Sequence, residues 1–372
     1  MLLKNAQVID PWQGTITRQN LSITDGVINS NPHNPDVNVN ENGVNIDAQD
    51  LYVAPGFIDL HAHVFGLDNP RGIASVPADT IGISQGVTLV VDAGSTGIDN
   101  YPHLMSAYHR QTDIKFFVNV SRYGLQEGLS ELANVNNLMS LSELERFRAH
   151  HGQDLVGIKV RMSGSVVQSA GVQPLVHARA LSSATGLPLM VHIGNAPPAL
   201  DIILNLLQSG DIVTHYMHGK TGGILDYPRE YQAALARGVR FDIGHGSSSF
   251  SFATARALLQ DSDVRFSIST DLYKHNLTQP VGSLALCMSK FLTLGMDLLS
   301  CVQAVTSVAA SYIGIGRPTL THGQPANLTL FKVLTGEQAG ATTLTDSEGQ
   351  SLQATGLIVP YGVIMGDTLT LL

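Results

Sequence analysis

Phe57-Ile58-Asp59-Leu60-His61-Ala62-His63 reads as a short apolar strand that ends in two histidines one residue apart. Side chains two apart on a strand point the same way, so both imidazoles face one side and can share a metal ion. The run is the first of eight. The others are 88–95, 114–122, 155–162, 188–194, 211–218, 240–246 and 265–271. Each is a short apolar run followed by a loop of small polar residues and a longer helix-like stretch, the βα rhythm of a parallel sheet. Eight such units between Pro55 and about Thr321 predict a (β/α)8 TIM barrel, a fold of about 250 residues. No Gly-x-Gly-x-x-Gly follows the first run, which argues against an open doubly wound sheet.

Composition agrees with a fold that buries much of its chain. Of 372 residues only 14% are charged, against about 25% in an average soluble domain, while 44% are hydrophobic. Disorder is excluded by the same numbers. The formal charge of −9 argues against binding nucleic acid through its phosphates. The length calls for a smaller module beside the barrel. Residues 1–53 and 322–372 alternate apolar and polar side chains between Asn, Asp and Gly turns, so the two ends are expected to pair into one small composite β-domain, a β-sandwich, with 54–321 as the barrel. Stretch 335–356 reads as an exposed hairpin or mobile loop. No secretory signal opens the chain, and no apolar run approaches the roughly 20 residues that span a bilayer, so a cytoplasmic protein with no membrane partner is expected. Cys287 and Cys301 read as two buried thiols.

In a parallel barrel the chemistry sits at the C-terminal ends of the strands. Six of the 14 histidines fall there: His61, His63, His192, His215, His218 and His245. Lys159 and Arg161 lie in the fourth run and Asp271 ends the eighth. A lone histidine on an apolar strand is usually a hydrogen-bonded core residue, but several at corresponding strand ends are not, and imidazole with carboxylate is the ligand set of Zn²⁺ and similar ions. Gly219-Lys220-Thr221 is no phosphate loop, because the position five before its glycine is Thr214. His33, His103, His109, His150, His151, His177 and His322 have no partners at ligand spacing.

Val53 to His63, followed in order by Lys159, His192, His215 and Asp271, resembles the amidohydrolase superfamily of metal-dependent hydrolases over the whole chain. The resemblance implies that His61 and His63 bind the more buried of two divalent metals, zinc by expectation, and that His192 and His215 bind the second. It implies that Lys159 bridges them as a CO2-derived carbamate. Asp271 would both ligate and shuttle the proton during attack by a metal-bridging hydroxide. Deaminases of the superfamily carry His-x-x-Glu after the sixth strand; here His215 is followed by Tyr216-Met217-His218, which favours the binuclear hydrolytic branch. Dihydroorotases carry an Arg two residues after His-x-His, where this chain has Phe65. The run 158–163 and Gly244-His245-Gly246-Ser247 are similar to a dihydroorotase-like group of amidohydrolases and deacetylases.

That group implies hydrolysis of an amide or ester from a small acylated acid. The alternatives are a cyclic amide or imide hydrolase of dihydroorotase or hydantoinase type, and a non-catalytic scaffold on the same barrel. Arg161 shares a strand face with Lys159 and can clamp a substrate carboxylate; a rim salt bridge is its other reading. His245 can donate to substrate or serve as a core histidine. Lys274 and His275 read as a solvated loop face. The expected partner is a small, anionic molecule, and the low charge fits a homo-oligomer without naming an interface.

Overall fold

The computed structural model describes residues 1–29, 44–66, 75–101, 111–128, 130–260, 265–316 and 319–372. The N-terminal end supplies β1 (Leu2–Asp10), β2 (Thr15–Thr24), β3 (Val27–Ile28), β4 (Asn45–Asp47) and β5 (Tyr52–Pro55). Seven strands then alternate with helical segments: β6 (Phe57–Ala62), β7 (Val87–Ala93), β8 (Asp113–Asn119), β9 (Leu155–Met162), β10 (Leu189–Ile193), β11 (Ile212–Thr214) and β12 (Arg240–Asp242). They form one parallel sheet in chain order. Every residue of β6 and β7 is buried, which is the mark of a parallel sheet covered on both faces and the reason so few charges appear in these runs.

The eighth run contributes bridges rather than a regular strand. Ser267 pairs with Asp242 on one side and Leu272 with Ala62 on the other, both parallel. The amides of His245 and Gly246 donate to the carbonyls of Ser269 and Thr270 at 3.0 and 2.9 Å, and the amide of His63 donates to Leu272 at 2.8 Å. One segment therefore holds both edges of the sheet. Toward the N-terminal ends of the strands, Ile58, Leu60, Leu89, Val91, Phe117, Met190 and Ile212 pack with Val308, Ala309 and Tyr312 of the helix Ser307–Tyr312. Each such side chain contributes about 1.5–3 kcal/mol on leaving water.

The C-terminal end adds β13 (Asn327–Thr335), β14 (Thr343–Thr345), β15 (Ser351–Gln353), β16 (Gly356–Met365) and β17 (Thr368–Leu371). The two ends do meet. They share one mixed sheet, β17-β16-β13-β5-β1-β2-β3, with β4 on β1. A separate cluster including Leu3, Val8, Leu21, Val53, Leu328, Leu330 and Ile364 forms its core. Gly56 joins this sheet to β6, and only glycine fits: a Cβ there would come within 2.0 Å of both Asn327 Oδ1 and Thr88 Oγ1.

Stretch 335–356 contains a hairpin, one of the two expected forms, and its turn is docked on the barrel. β14 and β15 pair antiparallel, and the turn between them buries Asp346, whose carboxylate accepts from the amides of Phe252, Glu348 and Gln350 at 2.8–2.9 Å. The docking was not foreseen, because it rests on one carboxylate in a Ser/Gly/Thr-rich context. Cys287 and Cys301 are buried free thiols. Among the described residues no helix is long and apolar enough to cross a membrane.

Candidate metal centre

Five strand tips converge. His61 is in β6 and His63 follows it; Lys159 lies in β9, His192 in β10, His215 one residue past β11, and Asp271 in the bridging segment. Asp271 Oδ1 is 3.1 Å from His63 Nε2 and 3.4 Å from His61 Nε2. Lys159 Nζ is 3.1 Å from the same His61 nitrogen. The His215 ring lies 5.0 Å from that of His61 and 4.4 Å from that of His192, centroid to centroid. The structure thus brings together the six residues expected to hold metal.

Electrostatics prepare these groups as ligands. Burial, aided by Lys159 and neighbouring histidines, holds His61 far below its ordinary pKa. Burial does the same to His192 and pushes His215 down to about 3, so the imidazoles are neutral with lone pairs available. Burial works to raise Asp271, but a hydrogen bond from His63 and the surrounding basic groups bring its carboxyl below the usual range. Burial also lowers the Lys159 amine to about 7. An unprotonated amine is the form that reacts with CO2.

One atom tests whether a cation fits. Nε2 of His215 is buried with no hydrogen-bond partner, while its Nδ1 is 2.5 Å from the Gly244 carbonyl. A buried polar atom left unpaired costs about 1–3 kcal/mol, which a divalent cation in this cluster of nitrogens and carboxylate would offset. Ligand atoms of His61, His63 and Asp271 already lie within 4.8 Å of one another. His215 and Asp271 also hold left-handed backbone, with φ of 72° and 55°. Such conformations are costly for residues other than glycine and cluster at functional sites.

Hydroxyl groups orient the first two histidines. His61 Nδ1 is 2.8 Å from Thr214 Oγ1, which donates to Asp242 at 2.7 Å. His63 Nδ1 is 2.8 Å from Ser95 Oγ, which donates to Asp92 at 2.7 Å. Each carboxylate is anchored in turn. Asp242 accepts from Ser267 and Ser269, and Asp92 from the amides of Val64, Phe65 and Ser95. Asp59, two positions before His61, accepts from the amide and hydroxyl of Thr270, and burial raises it to about 7. None of these supports was singled out from sequence. Asp92 stands near the end of an apolar run as the expected ligands do, and that was its available signal.

The other expected residues separate. Arg161 Nη1 reaches both carboxylate oxygens of buried Glu131, at 2.9 and 3.2 Å, so its salt-bridge reading is present in the structure. His245 is fully buried, its ring tilted against Phe250 with centroids 4.6 Å apart, with Nδ1 near the Gly246 carbonyl and Nε2 2.6 Å from Lys290 Nζ. The glycines on either side of it, not His245, face the cluster: a Cβ on Gly244 or Gly246 would meet His215 and His61, or Asp271. Lys290 was not foreseen, because an apolar helical context gives a buried lysine no signature. Lys274 and His275 are exposed, and His177 binds the Met139 carbonyl. His151 packs on Tyr101 and Phe147. His33, His103 and His109 lie outside the described residues.

Neutral imidazoles, an ionised aspartate and a buried lysine at the C-terminal ends of parallel strands define the class of metal-dependent hydrolases. Comparison with known proteins narrows the class. Residues 52–355 match the Amidohydrolase family. A deacetylase of Enterococcus faecalis is 37% identical over 329 residues, 85% of each chain. Two solved structures superpose on the full chain: one described as a dihydroorotase, with TM-score 0.90, 31% identity and 97% of its own chain covered, and one described as an adenine deaminase, with 0.89, 33% and 99%. The chain belongs to the amidohydrolase family and is a hydrolase acting on carbon–nitrogen bonds.

Proposed function

We propose that the chain is a binuclear metal-dependent amidohydrolase that removes an acyl group, through an amide or ester bond, from a small carboxylic acid. The observation that carries the reading is the place of Lys159: a buried amine 3.1 Å from His61 Nε2, amid three further histidines and Asp271. An ammonium there would repel two cations, whereas a carbamate would bridge them. His61 and His63 would hold one ion, His192 and His215 the other, with Lys159 and Asp271 between. Bound divalent ions, zinc in this reading, supply an acidified water and polarise the acyl carbonyl.

The chain's own groups do the rest. Asp271, ionised and 3.1 Å from His63, accepts the proton of the attacking water and delivers it to the leaving nitrogen or oxygen. The hydroxyl–carboxylate pairs at Thr214–Asp242 and Ser95–Asp92 hold the His61 and His63 rings in place through the cycle. The reading takes the barrel as a complete (β/α)8 ring over 54–321, with the ends 1–53 and 322–372 folded as a β-sandwich, in a cytoplasmic protein.

Deacylation is favoured over the opening of a cyclic amide. Where dihydroorotases carry Arg, Phe65 is buried beside Tyr101 and Phe116, centroids 5.5 and 6.0 Å away, and offers no cation to a carboxylate. The high structural similarity to a protein described as a dihydroorotase keeps ring opening as the second reading. Elemental analysis of the purified chain tests the centre. Two metals per chain, falling sharply in Lys159→Ala, support it; one or none in the wild type overturns the bridging role of Lys159.

A further inference from the structure

Gly244-His245-Gly246 forms one backbone wall of the cluster. The Gly244 carbonyl accepts from His215 Nδ1 at 2.5 Å. A Cβ on Gly244 would lie 2.9 Å from that nitrogen and from His61 Nδ1, and one on Gly246 would lie 2.6 Å from Asp271 Oδ2. The amides tie the segment to the eighth run: Gly244 donates to Ser269 Oγ, and His245 and Gly246 donate to the carbonyls of Ser269 and Thr270. The one side chain of the segment reaches elsewhere. The His245 ring is buried against Phe250 and meets Lys290 of the helix Leu284–Thr293, an element that supplies no expected ligand.

Lys290 is wholly buried and has no ion pair among the described residues. Its Nζ lies 2.6 Å from His245 Nε2, donates to the Pro280 carbonyl and stands 5.8 Å from the centroid of the Phe250 ring. His245 Nδ1 is 2.9 Å from the Gly246 carbonyl and so carries the ring proton, which leaves Nε2 to accept from the lysine. A buried amine without a carboxylate is costly, and a methionine of similar length would fill the space without that cost. What the lysine adds over methionine is a fixed donor aimed at one imidazole.

We infer that Lys290 is a positioning residue for the metal centre: through His245 it holds the Gly244 carbonyl against His215 Nδ1 and so aims the unpaired His215 Nε2 at an ion. The inference rests on the reading of the cluster as a binuclear centre and adds to it a residue that touches none of the expected ligands.

The test has two readouts, and the first needs no metal. In the metal-free protein, isotope-labelled at the histidine nitrogens, magnetic resonance is expected to show His215 as the tautomer with its proton on Nδ1. Lys290→Met should shift both His215 ring nitrogens, Lys290→Arg should restore most of the change, and His245→Leu, which breaks the link from the other end, should reproduce it. If one of these variants fails to fold, the other carries the comparison. The second readout is zinc affinity by chelator competition, which should fall about tenfold or more in Lys290→Met and in His245→Leu, and no further in the double variant. Unmoved His215 signals in the folded variants overturn the assignment, and so does a wild-type zinc affinity, or a double variant whose loss is the sum of the two. A wild type that holds fewer than two ions would defeat the binuclear reading, while the His215 signals, read without metal, still decide the role of Lys290.

Discussion

A single hydroxyl decides how His61 is aimed. Thr214→Val keeps the shape and removes the oxygen between His61 Nδ1 and Asp242. Metal affinity should fall about 10- to 100-fold by chelator competition, because the ring loses the partner that fixes its tautomer. An unchanged affinity would remove Thr214 from the support of the site. Asp271→Asn should retain much of the metal and lose nearly all turnover; wild-type rates would sink its role in proton transfer. Lys290 gives a pH effect with a defined sign. Burial lowers its amine from the ordinary 10.5 to about 8, so between those values the unfolded chain binds the extra proton. Stability should therefore gain with rising pH across about 8 to 10.5, and Lys290→Met should flatten that part of the curve in denaturant titrations. At this scale the sequence pointed to the six residues that the structure brings together, since His-x-His and the strand-end residues are spaced by the pleat. It did not show Thr214, Ser95, Asp92 or Glu131, because small hydroxyls and lone acids on strands carry no period of their own.

Among the elements, the first five runs came close to the strands observed, and the last three did not. The runs at 211–218 and 240–246 shrink to Ile212–Thr214 and Arg240–Asp242. The left-handed turn at His215 ends the first of these, and glycines with positive φ at 244 and 246 follow the second. A run of suitable residues does not disclose where its backbone turns. The hairpin at 335–356 was among the expected forms, but the docking of its turn was not. Asp346→Ala should leave the Phe252, Glu348 and Gln350 amides unmatched and cost about 1–3 kcal/mol, with faster proteolysis between β14 and β15. Equal protease resistance in mutant and wild type would show that the carboxylate does not hold the hairpin.

For the molecule as a whole, scarce charge was a sound guide to a covered parallel sheet, and the pairing of the two chain ends was visible in their shared alternation. What the sequence could not convey is how late that pairing comes. β5 lies between β1 and β13, and the Phe57 amide donates to Thr329 Oγ1 across 272 residues. During synthesis at roughly 5–20 residues per second, β5 emerges about 15–50 s before β13. Throughout that interval it is paired on one edge alone, so the nascent barrel is built while an apolar strand edge stays open to the wrong neighbour. Protection of that edge during synthesis then bears on the yield of native protein alongside the equilibrium stability of the finished fold.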